Sequence, residues 1–211
     1  MEIVFLDSIE STHTYLKQHI KSHGYSHPLA IVTQYQTKGL GSRNNSWKGK
    51  SGNLYFSFVI EKDFLPSDLP IQSASIYFSF LLKDILNKNG SQVWLKWPND
   101  FYIDDKKIGG IITNFSNNLF YCGIGLNLQS IDNEYGYLDI AVDINILLND
   151  YFKAVISKNQ WKQIFSKYTI EFENSKQYNT TINNKKVSLT DAVLNEDGSI
   201  NISNEKVFSL R

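Results

Sequence analysis

Between Gln92 and Leu128 the chain sets four strand-like runs close together, at residues 92–97, 101–104, 107–115 and 119–128. Their links are as short as Asp104-Asp105 and the three residues Ser116, Asn117 and Asn118. A parallel connection needs a crossover of about a dozen residues or more, so links this short leave only antiparallel hairpins. The spacing therefore predicts an antiparallel meander, and the rest of the chain has to pack around it.

Upstream, residues 3–6 and 29–35 read as strands, and residues 53–60 alternate with Leu54, Phe56, Phe58 and Ile60 on one side. The segment Glu10-Ser11-Thr12 caps a predicted helix whose Thr12, Leu16 and Ile20 share a face. A second helix is predicted over residues 71–88, carrying Ile76, Phe80 and Leu81 and ending at Asn89-Gly90. Asp143 is read as the cap of a third, running to about Ser157, and Asn159 as the cap of a fourth through Trp161 and Phe165 to about Ile170. From residue 177 onward only short strand candidates remain, at 186–189, 192–194 and 207–210, around the turn Asn195-Glu-Asp-Gly198. The reading is an α+β fold with a larger domain over residues 1–176 and a small β-barrel-like domain over 177–211.

Charge and cysteine usage narrow the function classes. The 211 residues hold 21 basic and 21 acidic side chains, so no net field draws the protein to nucleic acid or to an anionic membrane. The single cysteine, Cys122, excludes an intrachain disulfide framework and is expected to be a small buried hydrophobe. No apolar run approaches the ~20 residues that span a bilayer, and Met1–Asp7 lacks the pattern of a signal peptide, so a cytoplasmic protein is expected.

Three stretches carry chemistry. The loop from Gln36 to Gly52 holds Gly39-Leu40-Gly41-Ser42-Arg43, where glycines free backbone amides and arginine can clasp a carboxylate or phosphate. The plainer reading of that loop is a connection between strands. Lys96-Trp97-Pro98-Asn99-Asp100, followed by Lys107-Ile108-Gly109-Gly110, sets an amide, a carboxylate and a cation beside a double glycine. Such a set can hold a nucleotide and a second anion. The strand Gly123-Ile124-Gly125-Leu126-Asn127 gains nothing in packing from its glycines, so a ligand or another backbone is expected to approach there.

In this order these motifs, together with Glu10-Ser11-Thr12-His13 and Gly52-Asn53-Leu54-Tyr55, resemble bacterial biotin protein ligases over nearly the whole chain. The resemblance implies a catalytic domain like that of class II aminoacyl-tRNA synthetases, a mixed sheet with flanking helices, plus a C-terminal SH3-like barrel. It implies ATP-dependent activation of biotin to biotinyl-5′-AMP and transfer of biotin to a lysine of the biotin carboxyl carrier protein of acetyl-CoA carboxylase. Ser11, Thr12, His13, Gln36, Gly39, Leu40, Gly41, Ser42, Trp47, Gly110 and Gly123 are then biotin-pocket residues. Lys107 and Arg43 become the catalytic cations, and Lys107 touches both biotin and phosphate. Asn99, Asp100, Gly125 and Asn127 join Arg43 around the adenylate, with Asp100 near Mg2+. Tyr135 and Tyr137 are the candidates to cover adenine. Leu40 and Ser42 stand where the family commonly has arginines, which leaves Arg43 alone in that stretch. The motifs begin at Glu10, so no DNA-binding domain is expected, while a homodimer is compatible with the family. Two rival functions are a lipoate or octanoate ligase and a non-catalytic biotin-binding regulator. The second is disfavoured by Lys107 and Asn127, which a pure binder does not need.

Overall fold

The computed structural model describes residues 1–41, 45–47, 50–130, 134–183 and 185–208. Strand β1 (Glu2–Leu6), helix α1 (Thr12–His23) and strand β2 (Leu29–Thr33) come first, followed by a two-residue hairpin of β3 (Gly39–Leu40) and β4 (Ser46–Trp47) within the long loop. Then come β5 (Leu54–Glu61), α2 (Ala74–Lys88), β6 (Trp94–Lys96), β7 (Asp100–Ile103), β8 (Lys106–Ser116) and β9 (Leu119–Leu126). Helices α3 (Ile144–Ile156) and α4 (Trp161–Ser175) lead to five short strands, β10 (Asn179–Ile182), β11 (Lys185–Ser188), β12 (Val193–Leu194), β13 (Ile200–Ile202) and β14 (Glu205–Val207).

The main sheet has the order β1-β2-β5-β9-β8-β7-β6. Only β1 and β2 pair in parallel, and the run from β6 to β9 is the expected meander. Period-two alternation splits the sheet into two faces. Phe56 and Phe58 of β5 point to a large core shared with Phe78, Tyr151 and Phe152 of α2 and α3, while Val59 packs with Leu16, Ile20, Leu29 and Ile31 under α1. Cys122 lies in the larger core, and burial pushes its thiol up, so it serves as packing and not as a nucleophile. Edge strand β6 is tied down by α4, since Leu95 N donates to Glu171 Oε1 at 2.7 Å and Trp97 N donates to Ser175 Oγ at 2.9 Å. None of the described helices is long and apolar enough to cross a membrane.

Two elements depart from expectation. Asn159 does not cap α4, because its Nδ2 turns back to Ala154 O and Ser157 Oγ at the end of α3. The open amides of α4 are met from elsewhere in the chain, with Trp161 N and Lys162 N each donating to an oxygen of Asp68 at 3.0 Å. A carboxylate there satisfies two amides and complements the helix dipole, which one amide side chain cannot do. In the tail, strands β10 and β13 appear beside the expected segments, making one two-stranded and one three-stranded antiparallel sheet, the strand content of a small SH3-like unit. Its Leu189, Ala192, Ile200 and Ile202 join the large core, and Gly198 O accepts from Trp97 Nε1 at 3.0 Å.

Candidate active site

The α1 face of the sheet carries the site. One rung crosses six strands through Thr33, Tyr55, Gly125, Gly110, Asp100 and Lys96, and the next holds Ile31, Ser57, Gly123 and Ile112. Gly110, Gly123 and Gly125 leave the middle of this surface bare, under a cavity of about 400 Å³. A methyl group on Gly123 would stand 3.1 Å from Ser57 Oγ and 3.2 Å from His13 Nδ1, and one on Gly125 would stand 3.0 Å from the Trp47 indole. A side chain at Gly123 would fill the floor, and one at Gly125 would strike the Trp47 indole that lies against it, which accounts for glycines that sheet packing does not reward.

Lys107 reaches this face through a β-bulge. In a regular strand residues 107 and 110 point to opposite faces, because they are an odd number apart. Here Phe101 pairs with Gly109 but Tyr102 pairs with Lys107, so Ile108 is the extra residue. Ile108 drops into the large core, and Lys107 turns to the side of Gly110 and Asp100. Asn127 N donates to Ile108 O at 2.7 Å and Gly136 N donates to Lys107 O at 3.0 Å, so the bulge carbonyls are satisfied.

At one end of the cavity the polar groups are neutral. Ser11 caps α1, accepting from Thr14 N at 3.3 Å, and also lines the cavity. Gln36 Oε1 accepts from Thr12 N at 2.7 Å and from Thr12 Oγ1 at 3.1 Å, while the hydroxyls of Thr12 and Ser57 lie 2.8 Å apart. His13 Nε2 lies 2.9 Å from Asn114 Oδ1, and Lys17 Nζ donates to the same oxygen, which fixes that end of the amide as the acceptor. The ring proton therefore sits on Nε2, and Nδ1 is a buried lone pair with no partner among the described residues. Burial pushes His13 down from 6.5 to about 4, the Asn114 bond opposing this and the Lys17 charge adding to it. The ring is neutral at physiological pH.

The other end is charged. Lys107 Nζ lies 2.5 Å from Asp100 Oδ1 and 5.6 Å from the centroid of the Trp47 ring. Asn99 Nδ2 donates to Ile111 O at 2.5 Å, fixing the hairpin that carries Asp100. Asn127 Nδ2 donates to Gly136 O at 3.1 Å, and its buried Oδ1 has no partner among the described residues. Two buried acceptors, at His13 and Asn127, thus await donors that the described residues do not supply. Leu40, Gly41 and Trp47 of the β3–β4 hairpin form the roof, held by Gly41 N donating to Asn45 O at 2.7 Å. Gly39 is not on the cavity wall, since it lets the hairpin lie against Gln36. Ser42 and Arg43 lie outside the described residues. Tyr135 lines the cavity, whereas Tyr137 is exposed and does not.

Sequence reasoning missed Asn45, Ser46, Ser57, Ile111, Ile112 and Ile124 in the lining. A polar residue between Phe56 and Phe58 was the available signal for Ser57. The expected magnesium neighbourhood at Asp100 does not fit a protein-held ion. Asp100 is the only acidic side chain lining the cavity among the described residues, and its two oxygens face Lys107 at 2.5 Å and Lys96 at 3.7 Å. Two ammonium groups repel a divalent cation from that carboxylate. Among the described residues no group of three or more His, Cys, Asp or Glu side chains is placed to hold a metal.

Residues 5–128 match the model of the biotin/lipoate A/B protein ligase family. Among solved structures, the chain is similar to a biotin acetyl coenzyme A carboxylase synthetase from Helicobacter pylori with bound biotinylated ATP. That match has 38% identity and a TM-score of 0.93, and covers 98% of this chain and 99% of that one. A biotin protein ligase from Aquifex aeolicus, in complex with biotin and ATP, shares the fold at 21% identity and a TM-score of 0.71, covering 100% of this chain and 96% of that one. Among curated proteins, Biotin--protein ligase 2 of Arabidopsis thaliana is 31% identical over 141 residues, which is 63% of this chain and 41% of that protein. The bifunctional ligase/repressor BirA of Escherichia coli is 29% identical over 133 residues, 60% of this chain and 40% of that protein. The matched region spans about two fifths of the length of these curated relatives.

Proposed function

Because the chain belongs to the biotin/lipoate A/B protein ligase family, we propose that it condenses biotin with ATP to biotinyl-5′-adenylate and passes the biotinyl group to a lysine of a carrier protein. The observation that carries this reading is the polarity of one cavity. Neutral donors and acceptors from Thr12, Gln36, Ser57 and His13 stand at one end, the Lys107 ammonium at the other, and a bare glycine floor lies between.

A cyclic urea offers two N–H donors and one carbonyl acceptor to the neutral end. The bicyclic ring of biotin lies over Gly123, and its carboxylate points towards Lys107. One oxygen of that carboxylate attacks the α-phosphorus of ATP, a P–O bond forms, and pyrophosphate leaves with the electron pair of the broken bond. Both reactants are anions, and the ammonium of Lys107 offsets their repulsion where water is scarce. The amine of the carrier lysine then attacks the carbonyl carbon of the mixed anhydride, AMP leaves, and no enzyme nucleophile is needed. Asn127 Oδ1 is an acceptor for a donor on the nucleotide, Tyr135 covers the base, and Arg43 is assigned to the phosphate. Magnesium would accompany the phosphates of the nucleotide and offset their charge.

We assign the carrier role to the biotin carboxyl carrier protein of acetyl-CoA carboxylase and place the reaction in the cytoplasm, without a nucleic-acid partner. The break at residues 176 and 177 divides the catalytic unit from the small C-terminal one. A lipoate or octanoate ligase is disfavoured by the neutral end, because neither a dithiolane nor an alkyl terminus pairs with its buried polar atoms, and unpaired groups cost roughly 1–3 kcal/mol each. Incubation with biotin, MgATP and a carrier domain, followed by mass spectrometry of the carrier, tests the proposal. One biotinyl group on one lysine supports it, and an unmodified carrier refutes it.

A further inference from the structure

Lys96 has no part in the steps above, yet its side chain is only 10% exposed. It starts the hairpin whose other end is Asp100, shares a rung with Asp100, Gly110 and Gly125, and does not line the cavity. Its ammonium lies 3.7 Å from Asp100 Oδ2 and 5.5 Å from the Tyr102 ring centroid. The Asp100 side chain is 17% exposed, and its oxygens are divided between Lys107 in front and Lys96 behind.

Without Lys96, Lys107 becomes the counter-charge on which a poorly solvated carboxylate depends. An incoming carboxylate and phosphate would then have to draw Lys107 away from Asp100 and leave that carboxylate exposed to a new anion.

We propose that Lys96 is a positioning residue that retains the Asp100 carboxylate when Lys107 moves to the reacting anions, so that the Lys107 ammonium is released to them. This rests on the adenylation reaction proposed above. Lys96 touches neither substrate. Its effect passes through Asp100, and that dependence separates it from a lysine buried only for packing against Tyr102.

The test is single-turnover pyrophosphate release from biotin and MgATP by wild type, Lys96→Met, Lys96→Gln, Lys96→Arg, Asp100→Asn and the Lys96→Met/Asp100→Asn double variant, each checked by thermal melting. Lys96→Met and Lys96→Gln should slow adenylation at least tenfold, and Lys96→Arg should recover most of the rate. The double variant should be faster than Lys96→Met alone, because removing the carboxylate frees Lys107. A wild-type rate in Lys96→Met, or a double variant no faster than Lys96→Met, would overturn the proposal. Loss of fold in every Lys96 variant, Lys96→Arg included, would show a packing role and overturn it equally. A wild type that releases no pyrophosphate in response to biotin refutes the adenylation reaction itself and this inference with it. An active wild type with the wrong pattern of variants refutes the inference alone.

Discussion

Acidification should destabilise this protein through His13 in a pH range separate from that of its carboxylates. The ring is 5% exposed, and its folded value is about 4 against 6.5 in the unfolded chain. The folded state therefore prefers the neutral ring, and the unfolded chain takes up a proton first as pH falls. The stability that follows from this preference is complete above about pH 6.5, declines between 6.5 and 4, and is gone below 4. The interval of 6.5 − 4, at 1.36 kcal/mol for each pH unit, is worth about 3 kcal/mol, of which about 2.5 is lost by pH 4.5. Asp197 works at lower pH. Burial would raise it, but the Lys206 and Ser199 hydrogen bonds outweigh that and hold its carboxyl at about 2 against 3.8. Its contribution is present above 3.8 and is lost between there and 2, so the two groups are separable. Urea unfolding followed by tryptophan fluorescence, at intervals from pH 7 to 4.5, measures the slope for wild type and for His13→Asn. The wild type should lose the larger part of 3 kcal/mol that His13→Asn keeps. Parallel slopes for the two proteins would refute the burial of a neutral ring with a lowered affinity for protons.

Lys107→Ala should slow adenylate formation about 100-fold, the scale of one lost electrostatic contact to a transition state, while melting within a few degrees of wild type because the side chain is 30% exposed. Pyrophosphate release beside a melting curve separates the two effects. Thr12→Val should weaken biotin binding by calorimetry, because it removes the hydroxyl shared by Gln36 and Ser57. Unchanged affinity would show that this hydroxyl only holds the helix start. Gly109→Ala would set its methyl 2.7 Å from Gly125 O, a backbone atom that cannot rotate away, and should cost roughly 1–3 kcal/mol in chemical denaturation. Asp68→Ala should cost about 1 kcal/mol by removing the cap of α4, whereas Asn159→Ala should leave those amides satisfied.

The meander between β6 and β9 was legible because its links are too short for any other pairing, and α1 because Ser11 precedes a regular apolar face. The site was legible wherever a residue type conflicts with its element, as with glycines inside β8 and β9. Lys107 shows the limit. Alternation alone assigns it to the face opposite Gly110, and only the bulge at Ile108, a matter of register with β7, brings it round. The cap of α4 was misread for a related reason: Asn159 is adjacent in sequence, but Asp68 lies 93 positions from Trp161 and arrives through tertiary packing. Ser57 was missed because a polar residue opposite the apolar side of an alternating strand is expected to face solvent, until its hydroxyl meets Thr12. In the tail, β10 reads Asn179-Thr180-Thr181-Ile182, too polar for an apolar alternation to mark it, and pairing with β11 makes it a strand, as pairing with β12 and β14 does for β13.

Pyrophosphate exchange tests the central claim most directly. The claim is that one cavity holds a cyclic urea at its neutral end while Lys107 brings the carboxylate of that molecule to ATP. Purified protein should move label from pyrophosphate into ATP when biotin is added, and should not do so with lipoate or octanoate in its place. No exchange with biotin, or equal exchange with octanoate, would contradict it.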